Sequence, residues 1–111
     1  MTTKTNKGAV LKAADHDSAV IDIIRENPDY AEIYLQTALE EINEEGGVAA
    51  FLVALRRIVE ARGGIGEIAA KSGLSRVNLY RSLSPTGNPT ISTLVAVSRA
   101  AGVRLFPFGH S

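Results

Sequence analysis

One glycine corner with a helical pattern on each side constrains this chain more than any other feature. The stretch IGEIAAKSGLSRVNLYRSL, Ile65 to Leu83, reads as two short helices joined by a tight turn. The first runs from about Ile65 to Lys71, with Ile68 and Ala69 inward and Glu67 in the first turn, where a carboxylate meets the positive end of the helix dipole. Ser72-Gly73-Leu74 supplies the break: Gly73 can take the left-handed conformation that ends a helix, and Leu74 can reach back as the accompanying apolar contact. Ser75 is the expected N-cap of the second helix, Arg76 to Leu83.

Residues three and four apart share a helical face, so the second helix has two unlike sides. Leu79 and Leu83 suit a core. Arg76, Val77, Tyr80 and Arg81 fall on the other side and offer guanidiniums, a phenol and methyl groups, a set able to grip phosphates, bond guanine edges and touch thymine methyls in a major groove. This is helix-turn-helix geometry, with Ala69 small where the helices cross, Gly73 at the corner and Leu79 as anchor. Ser75, Arg76, Val77, Asn78, Tyr80 and Arg81 are therefore the candidate DNA-contacting residues.

Gly64, Gly66 and Ala69 also match G-x-G-x-x-A, a dinucleotide-binding pattern. That pattern needs a strand before the first glycine and an acidic residue roughly twenty positions on. A helical pattern precedes it and Ser84-Pro85-Thr86 follow, so it is rejected. The same glycines leave N–H groups at a helix start open to a DNA phosphate, which adds Gly66 to the candidates.

The 111 residues fit one domain with a modest core of Leu, Ile, Val and Ala. With no Cys, there are no disulfides, thiolate nucleophiles or Cys-type zinc sites. His16 has no second histidine near it, and no Ser-His-carboxylate set is evident, so neither an enzyme nor a bound cofactor or metal is expected. The start of the chain lacks a long apolar run and no stretch approaches membrane-spanning length, which points to a cytoplasmic protein. Formal neutrality hides an asymmetry: Met1 to Gly47 carry four bases against ten acids, Val48 to Ser111 eight bases against two acids. Seven of those eight bases are arginine, the side chain best shaped for forked contacts to phosphate and guanine. One half can face a polyanion while the other is repelled by it. The expected division is accordingly 1–47, an acidic helical extension that meets a partner or a second subunit, and 48–111, a DNA-binding domain.

Along the chain, Asp17 or Ser18 caps a short helix with Val20, Ile23 and Ile24 apolar, stopping near Asn27 because residues before proline avoid the α region. Asn27-Pro28 then opens a helix with Asn as cap and a stripe through Ala31, Tyr34, Leu35, Ala38, Leu39 and Ile42, closed by Gly46-Gly47. Ile33 stands off the stripe, beside Glu32 and Gln36, as a candidate contact for a partner. Val48 to Arg62 is the scaffold helix, with Val48, Phe51, Leu52, Leu55, Ile58 and Val59 inward and Arg56, Arg57 and Glu60 outward. The segment Ser84 to Pro89 is a polar loop beside the DNA backbone, with Thr86 and Asn88 as phosphate contacts. Ser92 caps a last helix ending at Gly102, and Val103 to Phe108 read as a short C-terminal β-strand whose Phe106 and Phe108 are left to dock on something.

From Phe51 to Leu105 the chain resembles the λ-repressor-like (Cro/XRE-type) DNA-binding domain, and more narrowly the HigA-like addiction-module antidote (antitoxin) proteins. The pieces that carry the resemblance are the EARGG junction Glu60 to Gly64, the recognition-helix pattern Gly73 to Leu83, and Gly87 to Leu94; Tyr34-Leu35 and Ala38-Leu39-Glu40-Glu41 extend it towards the N-terminus. It departs at Ile42 to Gly47, where Asn-Glu-Glu-Gly-Gly lengthens the acidic turn, and at the aromatic tail Phe106-Pro107-Phe108. The resemblance implies an all-α helix-turn-helix bundle that binds its own double-stranded operator as a homodimer and represses its operon. It also implies neutralisation of a co-encoded toxin of RelE/ParE-like fold, with Ile33, Tyr34, Phe106 and Phe108 as partner-contact candidates. The competing readings are a stand-alone prophage-type repressor and a protein-interaction module without a toxin.

Overall fold

The computed structural model describes residues 16–106, all of whose regular elements are helices. Helix α1, described over 16–26, turns Val20 and Ile24 into the core and ends at Asn27, whose N–H donates to the Ile23 carbonyl at 2.9 Å. Asn27 does not cap the following helix with its side chain. Its Nδ2 turns back and donates to the same Ile23 carbonyl at 3.1 Å, so it closes α1, and the start of α2 rests on Pro28, which has no N–H to satisfy.

Helix α2 (Pro28–Glu40) buries Ala31 and Leu35. It stops earlier than its apolar stripe suggests: residues 41–46 form turns, and Ile42 reaches the core from outside the helix. Helix α3 (Gly47–Ala61) buries Phe51, Leu52, Ala54, Leu55, Ile58 and Val59 and packs along α2. Val48, expected inward, is 55% exposed, because at the first turn of α3 there is no neighbouring element over it.

Arg57, expected outward, is partly buried. Its Nε donates to Asp17 Oδ1 at 2.6 Å and its Nη1 to the Tyr34 hydroxyl at 2.8 Å, so one guanidinium joins α1, α2 and α3. Burial by itself pulls the Arg57 pKa down, but the hydrogen bonds to Asp17 and Tyr34 outweigh it and hold the pKa above its ordinary value. Arg62, just past the end of α3, donates to the carbonyls of Ala101 at 2.8 Å and Pro28 at 3.1 Å. Thus the N-terminal helices share one core with the remaining elements.

Helix α4 (Ile65–Ser72) ends at Gly73 in the left-handed region, φ +76°, and the Leu74 N–H donates to the Ala69 carbonyl at 3.0 Å. Helix α5 (Arg76–Ser82) follows, with Leu79 and the flanking Leu83 buried. Helix α6 (Ile91–Ala100) packs across α4. Its cap is Thr90, two residues before the expected Ser92: the Thr90 hydroxyl accepts the Thr93 N–H at 3.1 Å. Thr90, directly after Pro89, is extended at φ −75° and ψ 163°, the backbone conformation of a capping residue.

The C-terminal strand does not form over its described part. Val103 donates its N–H to the Ser98 carbonyl at 3.0 Å, and Val103 and Leu105 are buried. Between them the Arg104 N–H and Nε go to the Glu32 carboxylate at 3.3 and 3.2 Å, so side-chain anchors on α2 and the core, not a ladder, hold this segment. Phe108 lies outside the described residues.

Candidate nucleic-acid interface

The corner delivers α5 to the surface with one face in the core and the other bare. The Ser75 hydroxyl accepts the Asn78 N–H at 3.0 Å, fixing the first turn of a helix only seven residues long. Leu79 and Leu83 then lock the rotation of α5, and Arg76, Val77, Tyr80 and Arg81 have to point out. All four are exposed, Tyr80 at 65%.

Two hollows flank this face. The first, about 490 Å³, is lined by Glu60, Ile65, Arg76, Val77, Tyr80 and Arg81. Here the Arg76 guanidinium lies over Gly66: a Cβ built on that glycine would stand 3.8 Å from Arg76 Cζ, so the small residue lets the side chain lie against the start of α4. The second, about 530 Å³, runs from Tyr80 and Arg81 to Thr86 and Asn88 on the following loop. Gly66, Ser75 to Asn78, Tyr80, Arg81, Thr86 and Asn88 are all exposed, and the two hollows share Tyr80 and Arg81. Glu60 is the lining residue that helical periodicity alone does not mark, since it reads simply as an outward residue of α3.

Charge pairing separates these arginines from most of the others, with Arg99, exposed at the far end of the last helix, the further one in no ion pair among the described residues. Among the described residues Arg25, Arg56, Arg57, Lys71 and Arg104 each pair with a carboxylate, and Arg62 is held by carbonyls. No ion pair within the described residues involves Arg76 or Arg81. Their guanidiniums are available to an anion.

The chain matches, over residues 10–107, the family described as "Probable addiction module antidote protein". The chain belongs to this family. A relative from Haemophilus influenzae, described as an "Uncharacterized protein", is 40% identical over 70 residues, which is 63% of this chain and 71% of the relative. No solved structure matches. The antidote description agrees in kind with the antitoxin resemblance read from the sequence.

The residues expected to meet a protein partner are spread out. Ile33 is 62% exposed on the outer side of α2. Tyr34 is engaged internally: its hydroxyl accepts from Arg57 and its ring stacks on Tyr30 with centroids 5.7 Å apart. Phe106, half exposed, sits at the rim of an apolar groove some distance along the chain from α2. Among the described residues no cluster of His, Cys, Asp and Glu could hold a metal ion, and no helix is long and apolar enough to cross a membrane.

Proposed function

We propose that this chain is the antitoxin of a toxin–antitoxin module and a sequence-specific DNA-binding repressor of its own operon, built on a λ-repressor-like (Cro/XRE-type) helix-turn-helix. The observation that carries the DNA-binding reading is the outward face of α5, where Arg76 and Arg81 have no carboxylate partner among the described residues and flank Val77 and Tyr80. In this reading α5 enters the major groove. Arg76, Val77, Asn78, Tyr80 and Arg81 meet base edges and phosphates, and Ser75, Gly66, Thr86 and Asn88 position the helix on the backbone. A single recognition helix of seven residues reads few base pairs, so the operator-binding form is a homodimer.

Residues 48–111 form the DNA-binding part and residues 1–47 the acidic extension. Family membership supports a toxin partner, and a small basic co-encoded toxin of RelE/ParE-like fold would suit the acidic outer side of α2 around Ile33. The test is a tagged pull-down from the native host at moderate salt, reading both DNA and protein in the eluate. Co-elution of a stoichiometric small basic protein encoded beside this gene, with DNA from upstream of it, is the expected result. Recovery of DNA alone leaves a repressor without a toxin; recovery of neither removes the proposal.

A further inference from the structure

The apolar residues left exposed by the fold do not all belong to the DNA face. Val48 at the start of α3, Ile91 at the start of α6, and Phe106 are 55, 74 and 50% exposed, and they converge on one groove of about 270 Å³. Leu52, Leu94 and the loop residue Pro89 also line it. None of the residues lining it is charged. Three large apolar side chains bared around one concavity on a chain of this size mark a surface that is covered in use.

We propose that this groove is the interface through which two copies of the chain pair, with Ile91 of each inserted against Val48 and Phe106 of the other. Two observations select a second copy as the occupant. The first is charge. A two-fold interface sets one patch against a copy of itself, which a groove without ionisable groups allows, whereas the outer side of α2, where Ile33 shares the exposed surface with Asp29 and Glu40, would set an acidic patch against an acidic patch. The second is position. Gly87 and Asn88 line both this groove and the hollow beside Tyr80 and Arg81, so the loop that borders the groove also borders the end of α5. In the proposed dimer the two α5 helices consequently lie close to the seam, from where a pair of neighbouring half-sites on one duplex can be reached. This assignment rests on the DNA-binding reading only for its second argument.

The test is sedimentation of the full chain over a concentration series, as wild type and as Ile91→Asp, Val48→Asp and Ile33→Asp, each checked for helix content by circular dichroism. Ile91 and Val48 are exposed and lie in first turns, where an aspartate is compatible with the helix, so loss of pairing is not loss of fold. The expected result is a wild-type dimer whose dissociation constant rises roughly a hundredfold or more in Ile91→Asp and in Val48→Asp, because each places an unpaired carboxylate in an apolar seam, with no change in Ile33→Asp. A wild type that stays monomeric, or a dimer indifferent to Ile91→Asp and Val48→Asp, overturns the assignment and leaves the groove to residues 107–111 or to a different protein. DNA titrations of the same variants separate this from the DNA-binding reading. Ile91→Asp should keep half-site affinity and lose the gain on a full site; a wild-type dimer that binds no DNA keeps the interface and removes the reading.

Discussion

The Arg57 guanidinium donates to the Asp17 carboxylate at 2.6 Å across 40 residues of chain, and with its other arm to Tyr34, so that a single side chain of α3 holds α1 and α2 in place. The pair is largely shielded, with Arg57 at 17% and Asp17 at 32% side-chain exposure. Its strength lies between that of a surface pair and that of a buried one. Asp17→Ala is expected to destabilise the chain by about 1–2 kcal/mol, and Tyr34→Phe, which removes one bond to a charged donor, by about 1 kcal/mol, in urea denaturation.

The sign of the Arg57 shift gives a pH prediction. Its folded pKa is raised above the unfolded value, so its contribution is fully present below the unfolded pKa and is lost only as pH rises through the folded one. Both lie far above the neutral range, so the stability difference between wild type and Arg57→Met should stay flat from about pH 6 to about pH 9. A difference that shrinks with rising pH in that window would mean that the guanidinium is not the group responsible.

Gly73 at the corner before α5 and Gly87 in the loop after it fail on substitution for different reasons. Gly73 has φ +76° with open space where a Cβ would stand, so Gly73→Ala carries backbone strain alone, about 1–2 kcal/mol. A Cβ on Gly87 runs into the backbone carbonyls of Ser82 and Arg81 behind α5, which cannot move without unwinding the end of that helix. Gly87→Ala should therefore cost more in thermal denaturation than Gly73→Ala and also impair DNA binding.

Helix α5 is too short to stand alone and depends on its cap and its anchor. Ser75→Ala removes the hydroxyl that accepts the Asn78 N–H and should cost about 1 kcal/mol, with faster amide exchange confined to α5. Leu79→Ala empties a position 1% exposed and should cost about 2–5 kcal/mol of global stability.

How much of this was legible beforehand depends on whether a residue acts locally. Gly73, Ser75 and Leu79 could be read directly because a corner, a cap and an anchor are decided within a few residues. Arg57 could not: periodicity sets it outward with Arg56, and only the arrival of Asp17 and Tyr34 from distant segments gives it an inward task. Val48 erred in the opposite sense, since its helical phase is right but no element covers that end of α3. Thr90 and Ser92 are both capping residues, and composition does not choose between them; the extended backbone at Thr90 does. Val103 to Phe106 have the composition of a strand, but strand formation needs a neighbour, and Glu32 and the core claim these residues instead. For the candidate interface, the outward residues of α5 followed from its helical phase, while the contribution of Glu60 needed the third dimension.

The central claim is that α5 reads DNA, and it is tested most directly by titrating DNA from upstream of the gene, beside a scrambled duplex, with wild type, Arg76→Ala and Arg81→Ala at several salt concentrations. Each arginine that reads a guanine should cost about 1–3 kcal/mol on the specific duplex alone, while one that grips phosphate should weaken both duplexes and flatten the salt dependence. Binding that is unchanged in both single variants and in the double variant would contradict the assignment of α5.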